Sequence, residues 1–278
     1  MKTAPFRYAR PPTLDEAVEL LRDENAKPLA GGQSLVPMMA MRLARPSVLV
    51  DLSAIPELDG IERRAGELVT GAMTRQRALE RRPGVAEELP LVAAALPYVG
   101  HREIRNRGTV GGSIAHADPA AELGLVAATL RATVVAEGRD GTREIPADHF
   151  IFGPFQTALA AGELLTAVRW PLAQPEDQFA FAEVARRHGD FALCGVAVHL
   201  HGRAEPRSVR VGLLGVGPAP VVHEAQVSDA EGIAELAEQI ASGLEPSSDM
   251  HATAGYRRRL ARVLVERCLR TAWNGAGG

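Results

Sequence analysis

The chain has 278 residues, 46% of them hydrophobic and 23% charged, the make-up of a globular protein large enough for two or three subdomains. A net charge of −3 argues against a nucleic-acid binder that works by neutralising phosphates. Two cysteines, Cys194 and Cys268, cannot hold an iron–sulfur cluster or a cysteine-ligated zinc ion, and they read as buried thiols in a reducing compartment. No apolar run reaches membrane-spanning length, and residues 1–8 are neither a signal h-region nor a transit segment, so a cytoplasmic protein without a membrane span is expected.

In chain order, Phe6-Arg7-Tyr8 reads as a short strand. Thr13-Leu14-Asp15-Glu16 is a capping box, and Leu14, Ala17, Val18 and Leu21 mark one face of the helix it opens. Residues 26–30 read as a strand, and residues 47–51 as another buried one. Between them lies Leu29-Ala30-Gly31-Gly32-Gln33-Ser34-Leu35, a glycine pair joining a strand to a helical turn. Adjacent glycines allow a sharp turn and expose main-chain N–H groups to a phosphate, with Gln33 and Ser34 as further donors. A plain turn is the competing reading for this motif alone.

A boundary is expected at residues 55–58. Residues 60–64 and 67–70 flank Ala65-Gly66 as a hairpin. Thr74 reads as the cap of a short helix, and residues 90–99 as one helix with Pro90 in its first turn. Residues 101–107 are strongly basic, and Arg102 and Arg105 read as a solvated face. A second glycine loop follows, Gly108-Thr109-Val110-Gly111-Gly112-Ser113, in which Thr109, Ser113 and the glycine N–H groups can again face phosphate oxygens. Residues 120–130 read as a helix with Glu122 in its first turn. Residues 132–136, 142–145 and 165–170 read as strands of one mixed sheet, and residues 171–177 as a linker. Three more strands (179–185, 192–200, 209–214) and two helices (232–241, 254–273) make a small sheet covered by helices, the last helix with Tyr256, Leu260, Val263, Leu264 and Cys268 near its buried face.

Several motifs fail. Gly215-Val216-Gly217 starts like a dinucleotide fingerprint, but Pro218 and Pro220 make it a rigid turn. Neither glycine pair continues as Gly-Lys-Ser/Thr, and neither Ser34 nor Ser113 sits in a nucleophile elbow. The eight histidines read as scattered, without metal-ligand spacing, so no metal site is expected.

Two glycine motifs about eighty residues apart on short αβ units resemble one family: the FAD-binding medium subunits of molybdenum hydroxylases, to which aerobic carbon monoxide dehydrogenase and the flavin part of xanthine dehydrogenase belong. Residues 30–43 resemble its first signature and residues 104–113 its second. Residues 153–159, 162–165, 186–192 and 246–258 resemble further family segments, so the likeness spans the chain. The resemblance implies an α+β fold: a two-lobed FAD-binding domain of the vanillyl-alcohol-oxidase (PCMH) type, with lobes at residues 1–55 and 56–175, and a C-terminal domain at 176–278 of the CO dehydrogenase flavoprotein type. It implies FAD between the lobes, its diphosphate held by Leu29, Ala30, Gly31, Gly32, Gln33, Ser34 and Leu35 and by Thr109, Gly111, Gly112 and Ser113. Glu122 would lie near the adenosine end, and Leu164 or Leu165 would line the pocket. Phe191 would pack on the isoalloxazine ring, with core packing the alternative. Two positions depart from the family: Ser113 stands where Asn or Asp is commoner, and Glu183 where relatives often have lysine near the flavin.

The resemblance further implies an oxidoreductase without a required acid or base on this chain. A large molybdopterin-binding subunit would hydroxylate substrate at a molybdenum cofactor, and a small iron–sulfur subunit would pass electrons to FAD here, in a dimer of heterotrimers. Two other readings stay open from the sequence: a stand-alone FAD reductase resembling the enolpyruvyl-glucosamine reductases, and a non-catalytic binding module.

Overall fold

The computed structural model describes residues 2–275. The chain opens with three parallel strands, β1 (Arg7–Ala9), β2 (Ala26–Leu29) and β3 (Val48–Asp51), in the spatial order β1-β3-β2. Parallel neighbours need crossovers, and α1 (Leu14–Leu20) and α2 (Leu35–Ala40) supply them. The Thr13 hydroxyl accepts the Glu16 N–H at 3.3 Å, as the capping box predicts. Leu14, Ala17 and Val18 pack on Val48 and Val50, and this small core continues through Ile55, Leu58, Met73 and Leu164 into the next lobe.

That lobe is built on a five-stranded sheet: β4 (Ile61–Arg64), β5 (Glu67–Gly71), β6 (Thr133–Gly138), β7 (Gly141–Pro146) and, after a small hairpin of β8 (Ile151–Gly153) and β9 (Gln156–Thr157), β10 (Leu164–Pro171). Its order is β4-β5-β10-β6-β7. Every pairing is antiparallel, so the sheet is not the mixed one expected. Between β5 and β6 run six helices: α3 (Gln76–Glu80), α4 (Val85–Glu88), α5 (Pro90–Ala95), α6 (Arg102–Arg107), α7 (Val110–His116) and α8 (Glu122–Thr129).

Three local expectations are corrected here. The helix read over residues 90–99 stops at Ala95 and tightens to a 3₁₀ turn at Leu96–Tyr98, because Pro97 has no N–H to continue it. Thr74 does not cap α3; its hydroxyl donates to the Gly60 carbonyl at 2.7 Å, and Arg75 takes the cap position. The basic run forms α6, and Arg105 within it is buried. Arg102 is exposed, as expected.

The C-terminal part is an antiparallel meander of β11 (Asp177–Ala185), β12 (Ala192–His201), β13 (Arg207–Leu214) and β14 (Val221–Val227), with α9 (Ala230–Ser242) and α10 (Ala254–Gly275). Period-two alternation divides β12. Cys194, Val196, Val198 and Leu200 share a core with Leu264, Cys268 and Leu269 of α10, while Ala197 joins the core of the five-stranded lobe. Both cysteines are buried, and burial pushes each thiol up to about 12. Tyr256 and Val263 are exposed, and α10 instead buries Arg257, Ala261 and Val265 beside Leu264 and Cys268. Helix α8 is buried at all its residues, because it lies against β12 and β13 on one side and its own lobe on the other. Among the described residues no helix is long and apolar enough to cross a membrane.

Candidate functional site: a cradle where the glycine motifs meet

The loop after β2 carries Gly31, which is buried against the second motif. A Cβ there would stand 2.4 Å from the Arg107 carbonyl oxygen and 2.8 Å from the Gly108 Cα. Any side chain would therefore push the two motifs apart. Gly112 lies close enough to Ala30 that its own Cβ would sit 3.2 Å from that residue's methyl. The eighty-residue separation in sequence is thus closed by direct backbone contact.

The two motifs differ in what they leave free. The second is not a loop. Thr109 caps α7, accepting the Gly112 N–H at 3.0 Å, and Gly111 and Gly112 form the helix's first turn. Gly111 is required by packing, since a Cβ would lie 2.6 Å from Ala72. Its N–H groups are already used: Val110 donates to Thr74, Gly111 to Ala72 and Ser113 to Thr109, at 2.9, 3.0 and 3.1 Å. Thr109 and Ser113 therefore offer hydroxyls, and the expected row of glycine N–H donors is absent from this motif. In the first motif the N–H groups of Gly32, Gln33, Ser34 and Leu35 have no acceptor among the described residues. They lie in the turn that leads through the Ser34 cap into α2, where free main-chain donors favour an anion. Gln33 Nε2 donates to the Gly31 carbonyl at 3.0 Å and braces the loop.

A cavity of about 420 Å³ opens over this loop, with Asp51, Ser53, Arg75 and Arg107 on its other walls. Arg75 is anchored by donating to the Arg107 carbonyl. Asp51 is engaged by the Tyr8 hydroxyl and by the Ser53 N–H at 2.9 Å. Burial opposes its ionisation, but these donors hold its carboxyl below the ordinary value. The two arginines and the free N–H groups give one side of the cavity the character of a phosphate cradle. Tyr8, Asp51 and Arg75 were not singled out from the sequence, and no local pattern marks them; Arg107 lies within the second signature but was not named as a ligand.

Of the sequence-derived candidates, Leu29, Ala30, Gly31, Gly32 and Gln33 line this cavity; Ser34, Leu35, Thr109, Gly111, Gly112 and Ser113 lie outside its lining, as do Leu164, Leu165, Phe191 and Glu122. Leu164 and Leu165 are core residues on β10, facing opposite cores. Phe191 is not core-packed; it is 71% exposed in the loop between β11 and β12. Glu122 opens α8, and burial, with help from Asp118, pushes its carboxyl up to about 7. Glu183 on β11 is pushed to about 8, first by burial and then by Glu122. One Glu183 oxygen is buried without a hydrogen bond. The two carboxyls thus face each other's field where α8 meets the C-terminal sheet.

Residues 4–173 match the family of the FAD binding domain in molybdopterin dehydrogenase, and residues 179–272 match the CO dehydrogenase flavoprotein C-terminal domain. The nicotine 6-hydroxylase medium subunit of Paenarthrobacter nicotinovorans is 40% identical, over 97% of this chain and 98% of its own length. The carbon monoxide dehydrogenase medium chain of Hydrogenophaga pseudoflava is 36% identical over 96% and 97%. A chain of the solved carbon monoxide dehydrogenase from that organism superposes with a TM-score of 0.95 at 34% identity, covering 99% of both chains. On the matching domains and full-length relatives, the chain belongs to the FAD-binding medium subunits of molybdenum hydroxylases, a family of oxidoreductase flavoproteins.

Proposed function

We propose that this chain holds one FAD with its diphosphate against the N–H groups of Gly32, Gln33, Ser34 and Leu35, flanked by Arg75 and Arg107. The observation that carries this reading is a row of unpaired N–H groups, of which Gly32 and Gln33 line a cavity that Arg75 and Arg107 also line. Free main-chain donors and arginine forks both suit a diphosphate. Thr109 and Ser113 add hydroxyls from the second motif, and Gly111 and Gly112 act by letting α7 approach Ala72 and Ala30. Glu122 is assigned to the adenosine end and Phe191 to the flavin ring, following the family resemblance; Leu164 and Leu165 back the wall from within the core. When bound, FAD supplies the acceptance and release of electrons.

The protein's share of that work is to bind the cofactor, orient it and set its surroundings; no side chain on this chain is assigned as an acid or base. In our reading the chain works within a complex, between a small iron–sulfur subunit that delivers electrons and an acceptor that removes them. The molybdenum cofactor and the substrate site belong to a large partner subunit, and the assembly is a dimer of heterotrimers in the cytoplasm. The curated relatives, which bear the names of a nicotine hydroxylase and a carbon monoxide dehydrogenase, support assigning substrate choice to another chain.

The test is a fluorescence titration of flavin-free full-length chain with FAD. The wild-type chain saturates at one FAD, and Gly31→Ala binds at least ~10-fold more weakly, about 1.4 kcal/mol, because the added methyl drives the loop off Arg107. A colourless chain that takes up no FAD, or a Gly31→Ala chain of unchanged affinity, overturns the reading.

A further inference from the structure

The antiparallel pairing of β11 with β12 gathers two of the histidines that look scattered in sequence. Asp177 stands opposite His201 and Phe179 opposite His199, so residues 177, 199 and 201 share one face of the sheet. Asp177 Oδ1 lies 2.6 Å from His201 Nδ1 and 3.0 Å from His199 Nε2. One ligand atom from each residue falls within 4.8 Å of the others. None of the three lines the cavity described above.

The site is braced. The second carboxylate oxygen of Asp177 accepts the Gln174 N–H at 2.8 Å, which fixes the direction of Oδ1. The His199 ring is stacked on Phe179, with centroids 4.8 Å apart and planes 18° from parallel. His199 Nε2 is buried, yet it makes no hydrogen bond despite its closeness to the carboxylate. A hydrogen bond needs the N–H aimed at the oxygen. His201 Nδ1 is hydrogen-bonded to the same oxygen at 2.6 Å, so Asp177 Oδ1 is shared between one bonded imidazole and one buried, unbonded one, and a bound cation would give His199 Nε2 the partner it lacks.

We propose that Asp177, His199 and His201 bind one divalent transition-metal ion of the zinc class, with solvent completing the coordination. Two imidazoles and one carboxylate are a donor set for zinc and its neighbours, whereas calcium and magnesium need mostly oxygen ligands. Tetrahedral bonds of about 2.0–2.2 Å put ligand atoms roughly 3.4 Å apart. The spacing of His199 from Asp177 is already near that. His201 must withdraw by somewhat under ~1 Å, which exchanges its hydrogen bond to Asp177 for the metal bond, and its half-exposed side chain has room to move. The ion clasps the first residue of β11 to the end of β12, at the point where the chain passes from β10 into the C-terminal sheet. The reading is independent of FAD.

The test uses the full-length chain, stripped with a chelator, and Zn²⁺ alone as the probe in calorimetric titration. One Zn²⁺ binds per wild-type chain, and binding raises the melting temperature. His201→Ala and His199→Gln each weaken binding at least ~10-fold, while His149→Ala leaves it unchanged. His201 is the safer position for the fold, and circular dichroism verifies that each variant is native. No stoichiometric Zn²⁺ uptake by the wild type, or equal uptake by native His201→Ala and His199→Gln chains, overturns the proposal.

Discussion

Glu183 and Glu122 are the two carboxyls that burial raises well above their ordinary value. Both carboxyls have folded values above the ordinary 4.5, near 8 and 7, with burial as the leading cause. A carboxyl raised on folding favours the folded state while it stays protonated. Its contribution is complete below about pH 4.5 and is lost as pH climbs through 7 for Glu122 and 8 for Glu183. The chain should therefore lose stability between pH 5 and pH 8.5. Glu183→Gln, neutral throughout, should gain on the wild type as pH rises, ending at least ~2 °C higher in melting temperature. Equal differences at pH 5 and pH 8.5 would show that Glu183 ionises normally. At this scale the sequence revealed what is written locally: the Gly31-Gly32 pair, the Thr13 cap and Glu122 in a first turn. It did not reveal Asp51, Arg75 or the unusual state of Glu183, because each is defined by neighbours that only the fold supplies.

Helices α3 and α6 form the clamp that holds Arg107 at the cavity. Arg105 is 7% exposed and makes a fork with Glu80, at 3.0 Å to each carboxylate oxygen. It also donates to the Val99 and Gly100 carbonyls at 3.1 and 3.0 Å. Removing the guanidinium leaves those carbonyls unpaired and Glu80 held by Arg77 alone, at 2.9 Å, so Arg105→Ala should cost about 2 kcal/mol in urea unfolding. FAD affinity should fall with it, because α6 leads straight into Gly108, whose carbonyl holds the Gln76 N–H at 2.9 Å. Exposed Arg102→Ala is the control, expected within about 0.5 kcal/mol of wild type. A near-neutral Arg105→Ala would mean that α6 stands without this pair. These elements were hard to read for a physical reason. A six-residue helix with Ile104 as its one apolar side chain shows no apolar period, and the burial of Arg105 depends on a glutamate twenty-five residues earlier. Helix α7 was obscured by Gly111 and Gly112, whose poor helix propensity is overridden by the Thr109 cap and contact with Ala72. Strand β14 was missed after Pro218 and Pro220, which lie in the bend that links β13 to it.

Across the whole molecule, α8 and β10 tie the parts together. Leu164 belongs to the core shared with the first three strands and Leu165 to the larger one, so β10 joins both FAD-domain sheets. Helix α8 continues the larger core into the C-terminal sheet. The ordered set of short motifs carried the family across the chain, and the domain matches and full-length relatives bear that resemblance out. The strand directions of the large sheet were not legible, because strand periodicity is the same in parallel and antiparallel pairs. The gathering of Asp177, His199 and His201 was equally hidden, since it depends on register between β11 and β12.

The most direct measurement of the central claim is a crystal structure of the full chain with FAD bound. The account predicts diphosphate oxygens within about 3.2 Å of the N–H groups of Gly32 to Leu35, with the Arg75 and Arg107 guanidinium groups beside them. A diphosphate seated elsewhere, with those four N–H groups still facing water, would contradict it.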